Sequence, residues 1–205
     1  MKACLFKLEL ESKNIEIFEV CFDREMDLEW FHRVKEFASR TGPDTYRRSD
    51  MGDDEHKKNI MIGKLAEVAF WHLATNLLEI RDISQPSFSG GIDSEDFILR
   101  GYRVDVKSSS MKTKREEYDL AKALKRFNFM VLKDQSPKDI VVQALYPSRE
   151  QFDCFYFSVW QWVDEVIRNG EDKRIKMNGG FGEYKLLPLL EGKPLRSLKE
   201  LKERR

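Results

Sequence analysis

The sequence predicts a mixed α/β fold. Residues 3–10 and 15–22 have strand composition on either side of a short polar break. A stretch from Asp54 to Leu78 carries a broad apolar face at helical spacing. Beyond it, short apolar runs bounded by turn residues recur as far as Leu187. Helical and strand patterns therefore mix along one chain, and the expected layers are a sheet with helices outside it. With 41% hydrophobic and 12% aromatic residues in 205, the chain is too apolar for disorder and long enough to bury a core without staples. The expected organisation is a single domain over 1–205.

Taken in order, ACLFKLEL and IEIFEVCF read as a hairpin broken at SKN. From Asp27 the spacing of Leu28, Phe31, Val34, Phe37 and Ala38 predicts a helix, stopped by Thr41-Gly42-Pro43. Residues 43–54 are polar and read as a loop. The second helix follows, with Ile60, Gly63, Leu65, Ala66, Ala69, Phe70, Leu73 and Leu77 on its apolar side. SQPSFSGG (84–91) is turn-rich. Two short strands, Asp96–Leu99 and Tyr102–Lys107, join at Arg100-Gly101. Residues 112–126 are a surface helix or a long loop. Phe127–Leu132 and Ile140–Tyr146 read as buried strands. Phe155–Phe157 reads as a short strand, and Ser158 as the N-cap of a helix through about Ile167. Tyr184–Leu187 reads as a last strand before a basic tail.

Charge is balanced. Thirty-six Lys and Arg meet 36 Asp and Glu, for a formal net charge of zero. That sum argues against a uniformly basic nucleic-acid binder. No apolar run approaches the roughly 20 residues of a membrane span, so no membrane partner is expected. The N-terminus alternates apolar and charged residues, unlike a signal peptide. Cys4, Cys21 and Cys154 are odd in number and far apart, without a CxxC pair. Neither a zinc ribbon nor a disulfide framework is expected, and the chain reads as soluble, cytoplasmic and reduced.

The chemistry concentrates in DFILRGYRVDVK, residues 96–107. Asp105 and Lys107 are two apart on a strand, so their side chains leave one face while Val104 and Val106 face a core. A hairpin turned at Arg100-Gly101 pairs 99 with 102 and 97 with 104, which sets Asp96 across from Asp105. Cross-strand like charges roughly 5 Å apart are destabilising. They make sense around a divalent cation, since magnesium takes carboxylate and phosphate oxygens. Lys107 would lie beside that cation, where an ammonium can orient water and offset charge developing on phosphate. Asn59, Gly63 and Glu67, spaced by four, share a helix face. Glu67, flanked by Ala66, Val68, Ala69 and Phe70, lies at the face boundary or turns toward the sheet.

A glutamate in the helix GKLAEVAF, then Asp96, then Asp105-Val-Lys107 followed by Ser108-Ser109, resembles the PD-(D/E)xK nuclease superfamily. The resemblance spans about residues 55–146. It implies a restriction endonuclease-like fold, a central mixed β-sheet flanked by helices. The N-terminal hairpin and helix (1–50) and the C-terminal region (150–205) would be additions. Carried over by position, it implies Asp96, Asp105, Glu67 and the main-chain carbonyl of Val106 as metal ligands. Lys107 would position water or stabilise charge. The implied activity is Mg2+-dependent hydrolysis of phosphodiester bonds in DNA, with Mn2+ as substitute, read as endonucleolytic and leaving 5′-phosphates. Cutting both strands normally takes two active sites, which suits a homodimer. One departure is that Glu95 stands where the naming proline would be. Asp93 rivals Asp96 for the hairpin position, and Asp82 is a weaker third candidate.

Residues 100–126 hold nine Lys and Arg against four Asp and Glu. Lys112, Lys114, Arg115, Lys122, Lys125 and Arg126 form either a phosphate-backbone contact or an ordinary solvated face. Gln143 reads as a hydrogen-bonded core residue or a neighbour of the site. Phe155, Tyr156, Phe157, Trp160 and Trp162 read as core rather than as base-stacking platforms. His32, His56 and His72 have no metal-ligand spacing and read as structural or exposed. The alternatives to a nuclease are a catalytically silent module of the same fold that binds nucleic acid or a protein partner, and an unrelated interaction protein with a surface acidic hairpin.

Overall fold

The N-terminal alternation forms two nine-residue strands, β1 (Lys2–Leu10) and β2 (Lys13–Cys21), paired antiparallel with Leu10 opposite Lys13. Glu11 takes the left-handed φ of 50° that the tight reversal requires. The computed structural model describes residues 1–11, 13–41, 52–88, 96–112, 119–133, 138–177 and 180–204. Two helices follow the hairpin, α1 (Leu28–Arg40) and α2 (Asp53–Asn76). After them come β3 (Phe97–Leu99), β4 (Tyr102–Ser110), α3 (Leu120–Arg126), β5 (Asn128–Leu132) and β6 (Ile140–Tyr146). The remainder forms β7 (Cys154–Trp162), α4 (Val163–Asn169), β8 (Glu171–Met177), β9 (Gly180–Pro188) and the two-residue β10 (Lys193–Pro194).

The main sheet is seven-stranded and mixed, in the order β1-β2-β7-β6-β4-β3, with β10 also on β7. Only β4 and β6 pair in parallel within it. A separate three-stranded antiparallel sheet has the order β5-β9-β8. The two sheets explain the hydrophobic runs. Every residue of β6 is buried. Its Val142 and Ala144 join the core under α2, and its Val141 and Leu145 join the core with β5, β9, α3 and α4. A strand covered on both faces reads as continuously apolar, not alternating.

Helix α2 is the main cover of the first face. Leu65, Ala66, Val68, Ala69, Phe70 and Leu73 are all fully buried. At about 1.5–3 kcal/mol for each large side chain buried, this helix is held chiefly by packing. Among the described residues no helix is long and apolar enough to cross a membrane.

Two expectations need correction. Ser158 is not an N-cap. The aromatic and β-branched run FYFSVWQW continues as one strand to Trp162, and the helix starts at Val163 without a side-chain cap. Pairing with both β2 and β6 outweighs the local capping signal. The strand expected at 127–132 is present as Asn128–Leu132, in the small sheet. Cys21 and Cys154 lie opposite each other on β2 and β7 and form a disulfide. A separation of 133 residues conceals that pairing in the sequence. Between Met111 and Leu132, α3 accounts for part of the polar stretch.

Candidate metal-dependent active site

The β3–β4 hairpin positions the acidic residues. Arg100 and Gly101 have φ of 51° and 81°, the two left-handed positions of a tight two-residue turn. The ladder pairs Leu99 with Tyr102 and Phe97 with Val104, the register expected from the sequence. One residue before β3, the Asp96 N–H donates to the Val104 carbonyl at 3.0 Å. Its Oδ2 accepts the Val106 N–H at 2.6 Å. The Asp96 carboxylate thus takes the place of a strand carbonyl where the three-residue β3 ends. In an antiparallel ladder a residue's N–H and C=O leave toward the same neighbour, so the Val106 carbonyl faces the side on which the Asp96 carboxylate lies.

Glu67, Asp96, Asp105, Val106 and Lys107 all line one cavity of about 280 Å³. Asn59, Gly63 and His56 of α2 line it too, as do Lys64, Lys138 and Ser108. A Cβ on Gly63 would meet nothing within 4 Å, so this wall of the cavity is open. Asp82 lines a different cavity, together with Arg100 and Tyr102 at the turn end of the hairpin. Asp93 lies outside the described residues.

Three lysines are shared unevenly among the carboxyls of the cavity. Lys107 Nζ lies 2.8 Å from Asp105 Oδ2. Lys138 Nζ holds the other oxygen, Oδ1. Lys64 Nζ, one helical turn before Glu67, bonds its Oε2 at 2.5 Å. Glu67, Asp105 and Lys64 are all buried, whereas the Lys107 side chain keeps 32% of its surface exposed. It is the ammonium of that group able to meet a polyanion entering from solvent.

Burial and the neighbouring Asp105 charge push the Asp96 carboxyl up to about 6. Burial, then Asp96, raise Glu67 well above the usual carboxylate range, although Lys64 opposes them. Asp105 goes the other way. Burial works to raise it, but Lys107 and Lys138 together outweigh that and hold it below its ordinary value. Two of the three carboxyls therefore resist ionising without a further cation. That electrostatic demand, the three carboxyls lining one cavity and the direction of the Val106 carbonyl suit a hard divalent ion, which prefers carboxylate and carbonyl oxygen.

Supporting contacts fix β4. Gln143 is buried and donates to the Lys107 carbonyl at 3.1 Å and to Ser109 Oγ at 3.2 Å. It is a core residue that braces the strand carrying Asp105 and Lys107. Asp139 accepts the Arg103 N–H at 2.8 Å and pairs with Arg204 at 2.7 Å, which anchors the segment bearing Lys138.

Lys64 and Lys138 join the site with no expectation placing them there, and His56, expected to be structural or exposed, lines the same cavity. Lys64 precedes Glu67 by three residues, a spacing that pairs side chains on a helix. Lys138 is 33 residues from its partner and carries no local signal. His56 is buried, and its Nε2 has no hydrogen-bond partner among the described residues. In the basic segment, Lys125 pairs with Glu11 at 2.6 Å, and Lys122 pairs with Asp119 at 3.7 Å. Arg126 donates to the Met111 carbonyl at 2.8 Å. Lys112 is exposed, and Lys114 and Arg115 lie outside the described residues.

Comparison with family models, with curated proteins and with solved structures finds no match to the chain.

Proposed function

We propose that this protein is a Mg2+-dependent deoxyribonuclease of the PD-(D/E)xK type, acting as an endonuclease. The observation that carries the reading is the meeting of Glu67, Asp96, Asp105, Val106 and Lys107 in one cavity. Three carboxylates and a lysine from two elements, in the order the motif requires, are otherwise costly to assemble. The fold is consistent with this reading, with a mixed sheet and α2 packed on β4.

Asp96, Asp105 and the Val106 carbonyl would hold the ion, with Glu67 as a further ligand to the ion or its water. Magnesium, when bound, supplies Lewis-acid activation of the phosphodiester and its attacking water. Lys107 orients that water and offsets charge developing on the phosphate. Lys64 fixes the rotamer of Glu67, and Gln143 fixes the strand under Lys107. DNA is the proposed partner, and a homodimer provides the two sites that double-strand cleavage needs.

A second reading has one observation in its favour. Lys107 and Lys138 already neutralise both oxygens of Asp105, an arrangement that also suits a catalytically silent module binding nucleic acid or protein. The experiment incubates purified protein with plasmid, linear, single-stranded and branched DNA, with magnesium, manganese or EDTA. Metal-dependent products ending in 5′-phosphate support the nuclease. Inertness on every substrate, with DNA retained on the protein, supports the silent module.

A further inference from the structure

All three cysteines of the chain, far apart in sequence, converge on one face of the main sheet. Register explains it. Cys4 lies opposite Glu19 in β1–β2, and Cys21 lies opposite Cys154 in β2–β7. Glu19 and Cys21 are two apart on one strand, so they share a face. The Cys4 thiol donates to Glu19 Oε2 at 3.2 Å. A Glu19 carboxylate oxygen and the sulfurs of Cys21 and Cys154 all lie within 4.8 Å of one another. The cluster sits at the β1–β2–β7 end of the sheet, and the acidic cavity at the β4–β3 end.

Three thiols and one carboxylate form a donor set for a borderline divalent metal of the zinc class, not for magnesium. Metal–sulfur bonds of about 2.3 Å and metal–oxygen bonds of about 2.0–2.2 Å put tetrahedral ligand atoms roughly 3.5–3.8 Å apart. Glu19, Cys21 and Cys154, already within 4.8 Å of one another, supply three of those ligands, and Cys4, hydrogen-bonded to Glu19, lies beside them as the fourth. In the structure Cys21 and Cys154 are joined as a disulfide, so the site belongs to the dithiol form.

We propose that reduction of the Cys21–Cys154 disulfide opens a zinc-class metal site built from Cys4, Glu19, Cys21 and Cys154. A thiol-class reductant carries out the first step. Two reductant thiols surrender two electrons and two protons and become a disulfide, while Cys21 and Cys154 become thiols. Metal entry then displaces the thiol protons. A low-molecular-weight disulfide reverses the sequence, being reduced to two thiols as the Cys21–Cys154 bond forms and the metal leaves. The two states differ mechanically. The disulfide ties β2 to β7, whereas the metal also ties in the edge strand β1 through Cys4. The site is independent of the nuclease reading.

The test titrates cobalt(II) into the full chain, reduced with a phosphine under nitrogen and freed of reductant. The expected result is one equivalent bound, with a thiolate-to-cobalt charge-transfer band that zinc abolishes. Cys21→Ser and Cys154→Ser should lose the band, and Cys4→Ser should keep a weaker one. Because those variants can fail to fold, the oxidised wild-type chain is titrated in parallel and should show no band. Absence of the band in the reduced wild type, or an equal band in the oxidised chain, overturns the proposal and leaves the pair as a disulfide only.

Discussion

Lys138 holds Oδ1 of Asp105, the carboxylate whose other oxygen Lys107 engages at 2.8 Å. Without a metal, an ammonium occupies each side of the central carboxylate. A divalent ion approaching Asp105 from either of those directions displaces an ammonium. Lys138→Met should tighten magnesium or manganese binding several-fold, read by calorimetry. It should also destabilise the metal-free protein by about 1–3 kcal/mol, since a buried charge loses one partner. Weaker metal binding in this variant would instead place Lys138 among the groups supporting the ion.

Asp96 provides a test with opposite signs for stability and binding. Its carboxyl is pushed up to about 6 in the fold. The folded state holds that proton more tightly than the unfolded one, so the ionised form costs stability above about pH 6, and the cost vanishes as pH falls toward the unfolded value. Asp96→Asn keeps an oxygen for the Val106 N–H and removes the charge. It should stabilise the metal-free protein at pH 7 by about 1–3 kcal/mol in chemical denaturation while abolishing metal binding. Destabilisation at pH 7 would contradict the electrostatic description.

Metal binding should release protons at pH 5.5–6.5, because an ion at the site requires ionised Asp96 and Glu67, and both are raised. Affinity should fall as pH falls through about 6. Asp105, held low by Lys107 and Lys138 after they outweigh burial, stays ionised throughout that window. Calorimetry in buffers of different ionisation enthalpy measures the protons directly. A pH-independent affinity across this range would remove Asp96 from the ligand set.

His56 lines the cavity with a buried Nε2 that no atom of the described residues satisfies. Buried polar atoms without partners are uncommon and call for an explanation. A bound substrate supplies one. His56→Phe should leave metal affinity unchanged and lower cleavage by at least roughly tenfold, about the value of one lost hydrogen bond to a charged group. Unaltered cleavage would make His56 a packing residue.

Much of the hairpin was legible because local rules govern it. Arg100-Gly101 sets a two-residue turn, the turn sets the register, and the register brings Asp96 beside the β4 backbone near Asp105. Glu67 was legible as a charge within an apolar helix. Lys138 was not, because its approach to Asp105 depends on the parallel β4–β6 pairing, which no local pattern encodes. The Cys21–Cys154 pair was hidden for the same reason, since β7 must return to β2 across most of the chain. At Ser158, a capping signal lost to a strand held on both sides.

The hydrolytic role of Asp105 and Lys107 is tested by cleavage of supercoiled plasmid with purified wild type, Lys107→Ala and Asp105→Ala, each in magnesium and in EDTA. The wild type should nick or linearise the plasmid only with metal. Lys107→Ala should be slower by roughly 10²–10³-fold, the scale of losing one positioned electrostatic group, and Asp105→Ala should be inactive. Cleavage that persists in EDTA, or that survives both substitutions, would contradict metal-dependent hydrolysis at this site.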